Sequence, residues 1–93
     1  MSKLIVQRVK YIERKQISDY DRDQIEPIAY LNVFKFGDIF YGFKEYDYFR
    51  NNDLKSNAWK LGSYMNLQFI PKGHYKGYNS QIVTIIQRAK VVN

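Results

Sequence analysis

A chain of 93 residues has room for one hydrophobic core and not for two. Its 45% apolar content, with nine Tyr and six Phe, excludes wholesale disorder, and the absence of cysteine excludes disulfides, thiolate catalysis and cysteine-based zinc sites together. Fifteen Lys and Arg against nine Asp and Glu leave a net charge of +6, which favours an anionic partner such as nucleic acid, with plain solubility as the alternative.

The charge is uneven: +4 over residues 1–16, -3 over 17–26, neutral over 27–50 and +5 over 51–93. The opening M-S-K-L-I-V-Q-R-V-K interleaves charges too closely for a signal-peptide core, and no apolar run approaches membrane-spanning length. A reducing cytoplasm, with no membrane contact, is the expected setting.

Residues 3–13 read as a first strand whose inward parity changes from Leu4 and Val6 to Val9 and Tyr11, so a bulge is predicted near Gln7 and Arg8. Residues 14–27 lose that pattern and close on Pro27, which predicts a loop. The Asp19, Asp21, Asp23 spacing starts like a calcium loop, but Gln24 stands where glycine is needed and Tyr30 where the bidentate Glu is needed. No metal or other cofactor is expected, and the acidic loop 17–26 is left as a candidate contact for a basic protein partner.

Residues 28–49 give the clearest hairpin. Ala29, Leu31 and Val33 alternate with Tyr30, Asn32 and Phe34, and Gly37-Asp38 supplies a Gly-X two-residue turn. In the next strand Ile39, Tyr41, Phe43 and Phe49 take one face, while Phe40, Lys44, Tyr46, Tyr48 and Arg50 take the other. That second face mixes rings with cations, the pairing that a single-stranded nucleic acid needs for stacked bases and phosphates. The same residues also suit a strand covering a second small core, or an aromatic patch for a protein partner.

From 50 to 61 the alternation stops. A short helix is predicted, capped by Asn52 or Asp53, with Leu54, Ala58 and Leu61 on one face and Gly62 ending it. Trp59, the only tryptophan, is assigned to the core in preference to base stacking. Met65, Leu67 and Phe69 then alternate with Tyr64, Asn66 and Gln68 in a fourth strand, and Ile82–Ile86 returns as a fifth. Between them Pro71–Asn79 reads as a flexible loop carrying Lys72, His74, Tyr75, Lys76 and Tyr78.

Catalytic constellations are sparse. His74 is the only histidine, no glycine-rich phosphate cradle is present, and Glu45 with Asp47 has no convergent third group, so an enzyme is not expected. Five strands with a short helix between the third and fourth predict a mainly β domain, a small OB-like barrel occupying residues 1–93.

The stretch L-G-S-Y-M-N-L-Q-F-I-P-K-G-H-Y-K-G-Y-N-S-Q-I-V-T-I-I, residues 61–86, resembles the last two strands of the C-terminal OB domain of RecJ-type single-strand exonucleases. Gly62 opens the fourth strand, a glycine- and aromatic-bearing loop follows, and Gln81 leads the last strand. The chain departs from that pattern at Gly77-Tyr78-Asn79 and in lacking an acidic residue late in the last strand, and the nuclease's catalytic domains have no counterpart in it. The resemblance implies contact with single-stranded DNA or RNA, no nuclease activity, and a role for Lys72–Tyr78.

The expected binding set is therefore Tyr30, Phe34, Lys44, Tyr46, Tyr48, Arg50, Lys72, His74, Tyr75, Lys76 and Tyr78. The alternative is a small inhibitor or adaptor of a protein partner. A bias to Lys, Asn, Tyr and Ile with three Ala suits an AT-rich phage or mobile element, and an open strand edge allows a homo-oligomer.

Overall fold

The computed structural model describes residues 3–17, 28–47 and 54–92, with only the backbone described at Ile28 and at residues 75–78. Five strands, β1 (Ile5–Ile17), β2 (Ile28–Phe36), β3 (Ile39–Asp47), β4 (Tyr64–Tyr78) and β5 (Gln81–Val92), close into a barrel in the order β1-β2-β3-β5-β4. All neighbours are antiparallel except β3 and β5, which run parallel from Phe40–Val83 to Phe43–Ile86. The domain is thus the mainly β, OB-like barrel that the strand order predicts.

β1 is longer than predicted and bulges elsewhere. Its pairing with β4 runs unbroken from Ile5 to Lys10, through the Gln7–Arg8 site where a bulge was expected. Leu4 and Val6 are both more than half exposed, so their parity faces water and no reversal is needed. The register shift lies instead between Tyr11 and Glu13, and residues 14–17, expected in a loop, continue β1 against β2. Residues 18–27, which carry the acidic loop and its Asp triplet, lie outside the described residues.

The β2–β3 hairpin follows its sequence pattern. It pairs without a shift from Ile28–Asp47 to Phe36–Ile39, and Gly37 takes the positive φ of 57° that the turn requires. Both faces of this hairpin are packed. Inside the barrel Phe34 and Tyr41 join Val9, Tyr11, Met65, Leu67, Phe69, Ile86 and Ala89. On the opposite face Leu31, Val33 and Val83 form a second apolar cluster, edged by Ile12, Ile17, Phe40 and Ile85. Gly42 sits under that cluster: a Cβ there would meet Val83 Cγ1 at 2.7 Å and Leu31 Cδ1 at 2.9 Å, so the backbone approaches where no other residue fits.

Between β3 and β4 the described residues form a 3-10 turn, Lys55–Ala58, and the predicted caps Asn52 and Asp53 lie outside the described residues. The predicted apolar face is not the buried one: Ala58 and Leu61 are exposed, and Ser56 is buried. Trp59, just after the turn, closes the barrel end edge-on against Tyr11 and Phe34, at 5.7 Å and 5.4 Å between ring centres. The core role assigned to Trp59 therefore holds.

The predicted loop Pro71–Asn79 is mostly strand. β4 continues to Tyr78 opposite Gln81, and the chain reverses over Asn79 and Ser80, both left-handed at φ 50° and 62°. Pro71 and Gly73 fall at register shifts, where a ladder tolerates a missing donor and a small residue. The outcome is a hairpin arm that extends past the last β1–β4 pair, Ile5–Phe69.

A third left-handed non-glycine residue lies within β5. Arg88 has φ 55° at the shift where Gln68 pairs with Lys90 and Ile70 with Gln87. Such a bulge position favours glycine, because a Cβ crowds the following carbonyl. Arg88→Gly is expected to stabilise the fold by about 1 kcal/mol, read as a higher urea midpoint; a lower midpoint would show that the Arg88 side chain contributes more than its backbone costs.

Candidate nucleic-acid interface

The structure separates the residues that sequence alone had grouped. Lys44 and Tyr46 share the outer face of β3, both half-buried and each engaged with other groups. Tyr30 does not lie beside them: it pairs across the hairpin with Glu45, on the inward parity, under the Arg14 guanidinium 4.2 Å from its ring centre. Phe34 has no face for a base. It is fully buried, stacked on Tyr11 at 5.1 Å, because even-numbered β2 residues point into the barrel. Tyr48 and Arg50 lie outside the described residues. Lys72 and His74 are exposed on the arm, while Tyr75, Lys76 and Tyr78 are placed only by backbone register, opposite Val83, Ile82 and Gln81.

The inward polar residues form a closed network instead of a site. The Tyr11 hydroxyl donates to Asn32 Oδ1 at 2.6 Å, and Asn32 Nδ2 donates to Glu45 Oε1 at 2.9 Å and to the Phe43 carbonyl at 3.3 Å. Burial pushes the Tyr11 hydroxyl up to about 12, with Arg14 pulling it down and Glu45 adding to the rise. Burial also raises Tyr41. A tyrosine that ionises near 10 in the unfolded chain and near 12 in the native one adds stability that is intact below pH 10 and disappears as pH climbs to 12. Roughly 2–3 kcal/mol should therefore vanish across that window, and Tyr11→Phe should flatten the slope. Urea melts of both proteins at pH 9 and pH 12 check this; equal losses in the two would exclude Tyr11 as the source.

A row of cations and rings crosses the outer surface where sequence reasoning did not look. Tyr64 on β4 pairs with Lys10 on β1, Lys10 with Lys35 on β2, and Lys35 with Phe40 on β3. Lys10 Nζ lies 5.8 Å from the Tyr64 ring centre and Lys35 Nζ 5.7 Å from that of Phe40, while Arg8 reaches Tyr64 from the next row at 5.8 Å. These four residues, with Ile12 and Gly37, line an open groove of about 480 Å³. Parity alone places Lys10, Phe40 and Tyr64 on outward faces. What makes them neighbours is the register that sets Lys10 opposite Lys35 and Tyr64, residues 25 and 54 positions further along the chain, which one sequence does not reveal.

Among the described residues no group of three or more His, Cys, Asp or Glu is placed to hold a metal ion, and no helix is long and apolar enough to cross a membrane. No family model, curated protein or solved structure matches the chain.

Proposed function

We propose that this domain binds single-stranded DNA or RNA without catalysis, through the groove on the outer face of β1, β2 and β3. The observation that carries the reading is the transverse row Tyr64, Lys10, Lys35, Phe40, in which two adjacent cations are flanked by a ring on each side, the combination of charge for phosphates and rings for bases that a single strand requires. An OB-like barrel offers its β2–β3 face for such ligands, and the resemblance of residues 61–86 to a single-strand exonuclease's OB domain supports the same class. Lys44 and Tyr46 lie further along β3, and Lys72 and His74 on the arm, as secondary contacts.

Fluorescence anisotropy of a labelled oligothymidylate at two salt concentrations, with duplex as competitor, tests the reading. Micromolar binding that prefers single strand is expected. Lys10→Ala/Lys35→Ala should weaken it at least tenfold and lower the salt slope by about 1.4, since each lost contact removes about 0.7. The pair Lys72→Ala/Lys76→Ala should cost less. Absence of binding at low salt would sink the proposal. It would favour the second reading, a protein partner docked on Phe36 and Ile39, which oppose each other at the β2–β3 tip and are 42% and 46% exposed.

A further inference from the structure

We infer that the bound strand does not end at Tyr64 but continues over β4 onto β5, along an outer face on which Arg8, Lys90 and Arg88 contact its phosphates in turn. The inference rests on the nucleic-acid reading of the groove and extends the site to the side of the barrel away from the β2–β3 hairpin.

The charge of the barrel is divided between its strands. No acidic residue follows Asp53, so β4 and β5 hold Lys72, Lys76, Arg88 and Lys90 and not one acidic side chain. β2 and β3 set Lys35 and Lys44 against Glu45 and Asp47, for no net charge. A polyanion leaving the groove is therefore drawn across β4 and not along the hairpin.

Register places the cations on one path. Arg8 and Lys10 lie two apart on the outward parity of β1, and both reach the same ring: Tyr64, 62% exposed on β4, has Arg8 Cζ and Lys10 Nζ each 5.8 Å from its centre. Arg8 is held toward β4 by Asn66 as well, whose Oδ1 accepts from Nη1 at 3.5 Å. Val6, Gln68 and Lys90 form the next row across β1, β4 and β5, about 7 Å further along β4. Lys90 is exposed, and so is Arg88, two residues before it. What lies between these cations on β4 and β5 is uncharged. Asn66, Gln68 and Gln87 are half-buried amides, able to hydrogen-bond to sugar and phosphate oxygens as a strand crosses.

Arg88 separates this face from a mere surplus of charge. Its backbone is left-handed, at φ 55°, where β5 shifts register against β4, and glycine adopts that conformation without penalty. At the same bulge the Ala89 carbonyl accepts from Lys55 Nζ at 3.2 Å, a contact that needs the backbone and not an arginine side chain. A side chain kept where glycine fits better is explained by what it reaches, and neither β4 nor β5 offers it a carboxylate.

The decisive comparison sets stability against binding in the same proteins. Anisotropy of a labelled oligothymidylate and urea melts are measured for wild type, Arg88→Gly, Arg88→Lys, Arg88→Gly/Lys90→Gln and Lys15→Gln, the last removing an exposed charge near the other end of β1. Arg88→Gly should bind at least threefold more weakly although its midpoint rises, a pairing that a purely structural role does not produce. The double variant should bind at least tenfold more weakly and lower the salt slope by about 1.4, about 0.7 for each lost contact. Arg88→Lys, which keeps the charge, and Lys15→Gln should both stay within threefold of wild type. On titration of wild type the amides of Asn66, Gln68 and Lys90 should shift in NMR spectra. The path is overturned if those amides do not move, if Arg88→Gly binds as wild type does, or if the double variant loses no more for each charge than Lys15→Gln. Wild-type binding of the oligothymidylate in those cases leaves the nucleic-acid reading standing and only the path fails; if wild type does not bind, both fail.

Discussion

Asn32→Ala is expected to cost about 2–4 kcal/mol of unfolding free energy, a large share of what a domain of this size holds. Asn32 is fully buried, and its amide joins three groups: it accepts from the Tyr11 hydroxyl and donates to the Glu45 carboxylate and the Phe43 carbonyl. Truncation removes the partner of each at once. An orphaned buried polar group costs about 1–3 kcal/mol, and a carboxylate more than a carbonyl, so the loss exceeds the net worth of the bonds themselves. Glu45 is only 7% exposed, and water does not readily replace the amide. The cost is recoverable by removing the whole network. Tyr11→Phe/Asn32→Leu/Glu45→Leu should lie closer to wild type than Asn32→Ala does, because an apolar trio of similar shape leaves no side chain of the network unpaired and only the Phe43 carbonyl loses a donor. Urea unfolding at pH 7 measures all three proteins. A loss below 1 kcal/mol in the single variant would mean that the network is solvated in ways its burial does not suggest.

The network also marks the limit of what alternation conveys. Period 2 assigns each residue to a face, and it did so correctly along β3, where Tyr41 and Phe43 point in while Phe40, Lys44 and Tyr46 point out. It does not say that both faces are packed. In β2 the odd residues Leu31 and Val33 are as buried as Asn32 and Phe34, because the outer cluster covers them. A polar, inward Asn32 and an apolar, outward Leu31 invert the ordinary signal, so Tyr30 and Phe34 read as surface rings. Turn chemistry misled in the other direction. Pro71, Gly73 and Gly77 look like loop residues, but one register shift absorbs the first two, another between Lys76 and Tyr78 spans the third, and the reversal falls at Asn79-Ser80, so the strand continues. The succession of strands along the chain and the Gly37 turn were legible because local alternation and turn chemistry decide them, and Trp59 because a single large ring contributes most when packed.

The groove was hidden for a different reason. Lys10, Lys35, Phe40 and Tyr64 are unremarkable one at a time, each an outward residue in its own strand. Their meaning comes from a row that three separate pairings align. Had β1 bulged at Gln7–Arg8 as its parity switch suggested, Leu4 and Val6 would have turned inward, while Lys10, between the inward Val9 and Tyr11, would still have faced out. The observed bulge, after Tyr11, keeps Lys10 beside Lys35 and lets Arg14 turn inward over Tyr30. The position of one irregularity therefore decides where the charge of β1 is presented.

Phe34→Ala should cost about 3–5 kcal/mol in stability and leave the affinity of the folded protein for single strands within twofold of wild type. The ring is fully buried, stacked on Tyr11 with 29° between planes, met edge-on by Trp59 at 5.4 Å, and paired across the hairpin with Tyr41. Around it the sheet is closed on itself, so the walls cannot collapse far into the space left by the ring, and the cavity term is retained in full. Trp59 would also lose one of the rings that seats it at the barrel end. A base-stacking Phe34 makes the reverse prediction: unchanged melting, and a loss of about 1–3 kcal/mol in binding for each stacked base. Urea midpoints and anisotropy on the same preparations separate the two, provided binding is measured where the variant remains folded by circular dichroism. Phe40→Ala is the matched comparison, since it removes the same ring from the other face of the same hairpin. It should lower affinity more than Phe34→Ala and stability less, because Phe40 lies at the groove and only at the margin of an apolar cluster. If both rings behave alike, the division of this hairpin into a core face and a binding face is wrong.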